Sequence, residues 1–244
     1  MKLKHLFLSL ILIWGLTSCS SDDDNPPTNL PATSANISGS VNLYDEGTTQ
    51  IDNSGMTVSV DGSSITATTN AAGEYTLQNV PFGNVTLVYE KTGYGTFKKF
   101  NVNHNNGDTF ITESPSLGQM STTTITDLNA SVNGGDVSVS ATTDPAGSNG
   151  NTRYIRYFLS EDANVSDDNY SFHSQTLISR INPYQLILSQ DDLINAGFLT
   201  GQTVYIKVYG ESFWGNEYDE PNSSTTVFPN LNPNSAAAVS FVVP

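Results

Sequence analysis

Residues 69–83 read TNAAGEYTLQNVPFG, and the apolar segment VTLVY follows at residues 85–89. Short apolar and polar positions alternate here and through the surrounding residues 36–115, with Gly or Asn recurring at roughly 8–12-residue intervals. This spacing is typical of the strands and turns of a β-sandwich, and no stretch of this part carries a sustained helical period. The sequence therefore predicts an all-β fold in which residues 36–115 form a first antiparallel sandwich.

The same segment carries a specific set of glycine, aromatic and branched positions. They are Gly39, Gly73, Tyr75, Leu77, Val80, Pro81, Gly83, Gly93 and Tyr94. With these positions the unit resembles the carboxypeptidase regulatory-like family, whose fold is a transthyretin-like sandwich. The resemblance implies a folding or interaction module, because the catalytic zinc site of true carboxypeptidases lies in a different domain.

A second set of alternating segments follows. Residues 137–141, 153–159 and 203–209 are predicted strands, and residues 116–122 hold no alternating pattern. We therefore predict a hinge at residues 116–122 and a second sandwich over residues 122–244. Each unit has its own turns and apolar strands, which predicts two independent domains.

The second unit resembles the fibronectin type III family, most closely its bacterial members, and is expected to be fibronectin type III-like or Ig-like. Five residues keep the spacing of that family's strand and of the glycine and tyrosine that follow it: Tyr205, Lys207, Tyr209, Gly215 and Tyr218. Strand parity sends alternate residues to opposite faces of a sheet. The predicted inward residues are Ile155, Tyr157, Leu159, Val204, Ile206 and Val208. The same parity places Tyr209 on the outer face.

One short helix interrupts the strands of the second unit. Ser189 is a typical N-cap residue, and Asp192 stands three residues later, as in a capping box. Gly197 is a typical residue at a helix C-terminus. We therefore predict one helical turn between them at a corner of the sandwich.

The chain begins with the pattern of an exported lipoprotein. Two lysines precede an apolar run over residues 6–16, which is too short to span a bilayer comfortably and predicts a signal peptide at residues 1–18. Residues 16–19, LTSC, resemble a bacterial lipobox, whose cysteine receives the lipid. Cys19 is the only cysteine, so it has no partner for an internal disulfide. We predict that Cys19 is lipidated and anchors the chain to outer-membrane lipid.

Residues 19–35 are predicted to form a flexible tether, because this polar and proline-rich stretch has almost nothing to bury. Asp22, Asp23 and Asp24 resemble the surface-export signal of lipoproteins from the Bacteroidetes group. That resemblance implies an outer-membrane protein facing the cell exterior. The alternative is a solvated acidic linker with no role in export.

Composition excludes several functions. The 24 acidic residues exceed the 9 basic residues, and the resulting net charge of −15 makes nucleic-acid binding improbable. His104 and His173 are far apart and lack neighbouring ligands at zinc-binding spacing, while the acidic residues 161–168 lack the glycine and terminal glutamate of an EF-hand. No serine lies in a nucleophile elbow. The sequence therefore predicts no catalytic residue, metal or cofactor.

An aromatic loop is the strongest candidate for ligand binding. Residues 212–218 read SFWGNEY, at a predicted end of the second sandwich where this architecture places binding loops. Aromatic faces flanked by Asn and Glu suit the apolar face and hydroxyls of a sugar ring. The candidate residues are Trp214, Phe213, Tyr218 and Tyr209. The alternative is that Trp214 and Phe213 cap the core or pack on the other domain.

These features together predict a non-enzymatic lipoprotein that captures or presents a glycan. Lipoproteins that it resembles accompany polysaccharide-uptake systems, so the expected partners are an extracellular glycan or an uptake-system protein. A structural or adhesive protein of the envelope, such as a pilus-like subunit, is the alternative function.

Overall fold

The computed structural model describes residues 31–221, 223 and 225–244. The predicted signal peptide at residues 1–18, the lipidation site Cys19 and the export signal Asp22, Asp23 and Asp24 lie outside the described residues. The first strand, β1 (Ser34–Ser40), includes the last two residues of the predicted tether, residues 34 and 35. Ser34 pairs with Pro81, which brings these residues into the first sandwich.

The prediction of two all-β sandwiches is confirmed. In the first, the described strands are β1 (Ser34–Ser40), β2 (Asn42–Tyr44), β3 (Thr57–Val60), β4 (Thr66–Thr68), β5 (Glu74–Pro81), β6 (Gly83–Glu90), β7 (Phe97–His104), β8 (Thr109–Phe110) and β9 (Ser116–Gly118). One sheet has the order β5-β1-β8 and another has the order β4-β3-β6-β7. Most neighbouring strands are antiparallel, but β1 with β8 and β2 with β9 are short parallel pairs.

Strand β5 shows how the sequence sets this fold. Tyr75, Leu77 and Val80 point into the first core. Leu77 and Val80 are three residues apart because a bulge, with Asn79 at φ +53°, shifts the alternation. Before the strand, Gly73 has φ +84°, and a Cβ there would lie 2.2 Å from the carbonyl oxygen of Val41. Only glycine fits this conformation and this close approach.

The predicted hinge at residues 116–122 is wrong for its first three residues. Strand β9 pairs in parallel with β2, and Leu117 is buried in the first core. A three-residue strand is too short to show alternation, so its pattern was not visible in the sequence. In the rest of the segment, the Ser121 amide donates to the carbonyl of Asn230 at 2.9 Å.

The second sandwich contains β10 (Thr124–Asn133), β11 (Asp136–Asp144), β12 (Arg153–Ser160), β13 (Phe172–His173), β14 (Leu177–Ser179), β15 (Tyr184–Ser189), β16 (Thr203–Glu211), β17 (Tyr218–Asp219), β18 (Thr226–Val227) and β19 (Val239–Val242). Its two main sheets have the orders β10-β11-β15 and β12-β16-β19. These correspond to the A-B-E and C-F-G strands of an Ig-like sandwich. Strands β13 and β14 both pair with β12.

The predicted helix is confirmed as α1 (Gln190–Asn195). Ser189 caps it, and the Ser189 and Asp192 side chains make both hydrogen bonds of a capping box. Gly197 follows with φ +99°, as expected after a helix C-terminus.

The two sandwiches have separate cores but share a joint. The Gly95 amide of the first sandwich donates to Asn230 Oδ1 of the second at 3.2 Å, and the Phe213 amide donates to the Glu46 carbonyl at 2.8 Å. Arg153 Nη2 also pairs with Glu46 Oε2 at 2.8 Å. By their contacts, Ala32–Pro244 form one unit. Independent folding of each sandwich stays a prediction.

Candidate functional site

A cleft of about 610 Å³ lies where the aromatic loop meets the first sandwich. Its apolar lining comes from Phe97, Pro115, Tyr154, Ile178, Phe213 and Trp214. Its other lining residues are Ser116, Gln175, Thr176, Gly215, Asn216 and Glu217. Ligand pockets typically have volumes of roughly 300–1,000 Å³ and combine apolar walls with a few polar groups. The size and chemistry of this cleft therefore suit a small organic ligand.

Trp214 and Phe213, two of the predicted ligand residues, both line the cleft. The Trp214 ring packs on Tyr44 of the first sandwich at a centroid distance of 5.0 Å, and on Phe213 at 5.2 Å. Trp214 is half-buried, and Phe213 is 38% exposed. Trp214 therefore packs on the other sandwich, as the alternative interpretation expects. Part of the aromatic surface of Trp214 and Phe213 nevertheless stays accessible.

The indole Nε1 of Trp214 is enclosed and has no acceptor among the described residues. An enclosed donor without a partner costs about 1–3 kcal/mol. Trp214 therefore keeps its position between Tyr44 and Phe213 at a local cost in free energy.

Tyr218 and Tyr209, the other two predicted residues, lie elsewhere. Tyr218 packs on Phe97 and Phe100 of the first sandwich at centroid distances of 6.0 and 5.8 Å. It helps to hold Phe97, but it does not itself line the cleft. It therefore belongs to the joint and not to the predicted ligand patch.

Strand parity gave the correct face for Tyr209 but the wrong environment. Val204, Ile206 and Val208 point into the main core, as predicted, and Tyr209 points to the opposite face. There it is only 6% exposed and packs edge-on against Phe158 at 5.6 Å. A second apolar cluster covers this outer face, which removes Tyr209 from the candidate site.

Sequence reasoning missed the contribution of strand β12 to the cleft. Ile155, Tyr157 and Leu159 face the main core as predicted. On the other face of the strand, Tyr154 and Arg156 are also buried, and Tyr154 packs against Phe213 at 5.7 Å. The run RYIRYFL at residues 153–159 contains five aromatic or branched residues and two arginines. This nearly continuous apolar run is the sequence signal for a strand buried on both faces.

A buried ion cluster lies beneath the aromatic loop. Arg156 is 1% exposed, and its guanidinium donates to Glu211 Oε2 at 3.0 Å and to Glu217 Oε2 at 3.1 Å. It also donates to Thr176 Oγ1 at 3.2 Å and to the Ser174 carbonyl at 2.6 Å. Arg156 thereby joins strand β16, the aromatic loop and the segment between β13 and β14.

Burial raises the pKa of Glu211 to about 7, although Arg156 and the Ser212 amide act in the opposite direction.

Gly215, which lies beside Glu211, allows the aromatic loop to approach this ion cluster. A Cβ at Gly215 would lie 2.8 Å from Glu217 Oε2 and 3.2 Å from Arg156 Nη2. The glycine therefore lets the loop backbone rest directly over the buried charges.

Two asparagines fix the other end of the loop. Asn230 Nδ2 donates to the Trp214 carbonyl at 2.6 Å and to the Gly118 carbonyl at 3.1 Å. Asn216, in the left-handed region at φ +56°, donates to the Ser116 carbonyl at 2.7 Å. Backbone groups of both sandwiches thus hold Trp214 at the edge of the cleft.

The two histidines among the described residues are held by ordinary core and packing contacts. His104 is fully buried and is hydrogen-bonded to Thr109 Oγ1 at 2.7 Å and to the Val80 carbonyl at 3.1 Å. His173 packs on Phe228 at 4.9 Å. Over the described ranges, no group of three or more His, Cys, Asp or Glu residues is arranged to hold a metal ion. Nor does this part of the chain contain a helix with the length and hydropathy needed to cross a membrane.

Similarity to solved structures is weak. A candidate carbohydrate-binding protein from Bacteroides uniformis is 18% identical, with a TM-score of 0.30, over 86% of this chain and 99% of that one. The FN1–FN3 domains of chicken CNTN1 are 11% identical, with a TM-score of 0.31, over 84% of this chain and 69% of theirs. All these TM-scores lie below 0.5, so the likenesses assign no function.

A chain from a cohesin–X-dockerin complex of Acetivibrio cellulolyticus is 19% identical, with a TM-score of 0.30, over 35% of this chain. The match spans 58% of the length of that chain. No curated protein matches this one. At the level of protein families, residues 37–125 match the model of the CarboxypepD_reg-like domain, which confirms the resemblance for the first sandwich.

Proposed function

We propose that this chain is a non-enzymatic, lipid-anchored protein of the cell surface that captures a glycan in the cleft beside Trp214. The observation that carries the proposal is the cleft itself, because it combines accessible aromatic surface with polar groups in a volume of about 610 Å³. Sugar rings present apolar C–H faces and polar edges. A site that binds them needs both kinds of surface close together.

Several lining groups remain accessible to a sugar. Phe213 is partly exposed, and Gln175 is exposed at the rim. The Glu217 side chain is 45% exposed, and only its Oε2 accepts from Arg156 among the described hydrogen bonds. By contrast, the Asn216 amide is engaged by backbone groups. Phe213, Gln175 and Glu217 therefore supply the proposed stacking surface and hydroxyl partners.

The binding test uses the full chain with Trp14→Phe, so that Trp214 is the reporter. Its half-buried indole should emit at shorter wavelength than free tryptophan, and a bound neutral oligosaccharide should change this emission. Phe213→Ala and Gln175→Ala should each weaken binding, and Phe213→Ala by at least about tenfold, or roughly 1.4 kcal/mol. Titration with hexose and N-acetylhexosamine oligosaccharides measures these effects.

Phe110→Ala is the matched control, because Phe110 is 65% exposed and lies on the first sandwich away from the cleft. It should bind as the parent does, and thermal unfolding should show that all variants are folded. No response to any oligosaccharide would contradict glycan capture and favour the structural or adhesive alternative. Equal binding by Phe213→Ala and the parent would place the site elsewhere.

The lipid anchor is the second part of the proposal, and it is supported by the lipobox at residues 16–19. Cys19→Ala should abolish metabolic labelling with palmitate and release the chain from the membrane fraction, because the lipid can be attached only through this thiol. Ser21→Ala, two residues away, should keep both properties. Unchanged labelling of Cys19→Ala would rule out this anchor.

The tether and its three aspartates complete the proposed arrangement. Asp22, Asp23 and Asp24 direct the anchored chain to the outer face of the outer membrane, where the cleft meets extracellular glycans. An uptake-system protein is the partner that would receive the captured glycan.

A further inference from the structure

We infer that the cleft selects neutral glycans over anionic ones and that Glu217 is the residue that sets this selection. The inference rests on the proposed function, because it names the class of sugar that the same cleft takes. It follows from the charges around the cleft and from how each of them is engaged.

The lining itself contains no positively charged side chain. Of its twelve residues, Glu217 carries the only formal charge, and its side chain is 45% exposed. A uronate or sulfate group in the cleft would therefore meet a like charge at short range, which Arg156 offsets only in part because Arg156 is also paired with Glu211. Unscreened like charges a few ångströms apart repel strongly when part of their surroundings is protein.

The nearby cations cannot compensate. Arg156 is 1% exposed, and its guanidinium is already shared among Glu211, Glu217 and neutral acceptors. Arg153 is paired with Glu46 at 2.8 Å. Recognition of a carboxylate or sulfate generally uses an accessible arginine or lysine. Neither of these two arginines is available for this role. The exposed Arg180 lies close enough to Tyr154 for its charge to act on the pKa of that residue, which burial raises, but Arg180 is not part of the cleft lining.

Glu217 instead provides an acceptor for hydroxyl groups. Arg156 Nη2 holds Oε2 at 3.1 Å, which fixes the carboxylate while the exposed side remains free to accept. A hydrogen bond from a sugar hydroxyl to a carboxylate is charge-assisted and stronger than one to a neutral acceptor. The same group therefore favours neutral sugars and rejects anionic ones.

The test compares two probes: the neutral hexose oligosaccharide that binds best and the same oligosaccharide oxidised to uronate at C6. In the full chain with Trp14→Phe, the uronate form should bind at least about tenfold more weakly. Raising the salt concentration from about 0.05 to 0.5 M should strengthen uronate binding, because salt screens the repulsion. Neutral binding should change little with salt.

Glu217→Gln removes the charge and keeps an oxygen that can accept from Arg156. It should narrow the difference between the two probes to about threefold or less, and it should abolish the salt effect on uronate binding. Glu113→Gln is the matched control, because it changes the net charge equally at an exposed residue outside the cleft. It should keep the parental selectivity.

The outcomes separate the inference from the proposed function. Uronate binding as tight as neutral binding, or a Glu217→Gln variant that keeps the full difference between probes, would overturn the inference and leave glycan capture standing. Failure of every oligosaccharide to bind would overturn both.

Discussion

Arg156→Met is expected to lower the free energy of unfolding by about 3–5 kcal/mol near pH 8, because it leaves the buried carboxylate of Glu211 without its partner. Glu211 is 0% exposed, so water cannot replace the lost hydrogen bonds. The hydrogen bonds from Arg156 to Thr176 and to the loop residue Glu217 are also lost. Chemical denaturation measures the change, and glycan binding should weaken with it.

The loss should be smaller at pH 5.5. Burial raises the pKa of Glu211 to about 7 in the folded chain, above its ordinary value of 4.5. Between these values the folded chain holds a proton that the unfolded chain releases, so this contribution to stability is lost as the pH rises through about 7. Without Arg156 the pKa rises further, and at pH 5.5 Glu211 is neutral and less costly to bury.

Two controls accompany Arg156→Met. Arg180→Met removes the same charge at an exposed residue and should change stability by no more than about 0.5 kcal/mol. Combining Arg156→Met with Glu211→Leu should recover part of the loss, because no buried charge is then left unpaired. A cost below about 1 kcal/mol at both pH values would show that the ion cluster does not stabilise the fold.

Gly95→Ala is expected to lower the free energy of unfolding by about 3 kcal/mol, the upper part of the usual range for overpacking. A Cβ at residue 95 would lie 2.1 Å from the carbonyl oxygen of Pro229 and 2.4 Å from its carbonyl carbon. These are backbone atoms of the second sandwich, so the joint must open to admit the methyl group. Denaturation, together with the rate of proteolysis at residues 119–122, measures both consequences.

Gly150→Ala is the matched control, since a Cβ there meets nothing within 4 Å and its φ lies outside the left-handed region. It should be close to neutral in stability and in proteolysis. If Gly95→Ala were as stable as Gly150→Ala, the two sandwiches would not be held by close backbone packing at this joint. Two stable fragments from Gly95→Ala would instead support the predicted independence of the domains.

Local features of the sequence predicted individual elements well. The capping box around Ser189 and Asp192 depends on residues three positions apart, and it forms as predicted. The inner faces of β12 and β16 follow from alternation, which is also a local property. Gly73, in the turn before β5, and Gly197, after the helix, adopt left-handed conformations, as glycines at turns and helix ends often do.

The candidate site was predicted only in part, for a physical reason. Phe213 and Trp214 are neighbours in the chain and could be found together, whereas Phe97, Tyr154 and Gln175 come from three distant segments. Alternation says which face a residue occupies, but it does not say what covers that face. Tyr209 was therefore assigned to the correct face and the wrong environment.

The sequence alone determined the all-β class, the two apolar strand sets, the capped helix and the pattern of an exported lipoprotein, because each depends on composition or on neighbours a few residues apart. Tertiary structure decided that β9 completes the first sandwich, that Trp214 stacks on Tyr44, and that Arg156 is buried among Glu211 and Glu217. These contacts join residues about 50 or more positions apart in the chain. The first and third depend on which distant strands pair within one sandwich, and the contact of Trp214 with Tyr44 depends on how the two sandwiches pack. No local pattern of the sequence contains either kind of information.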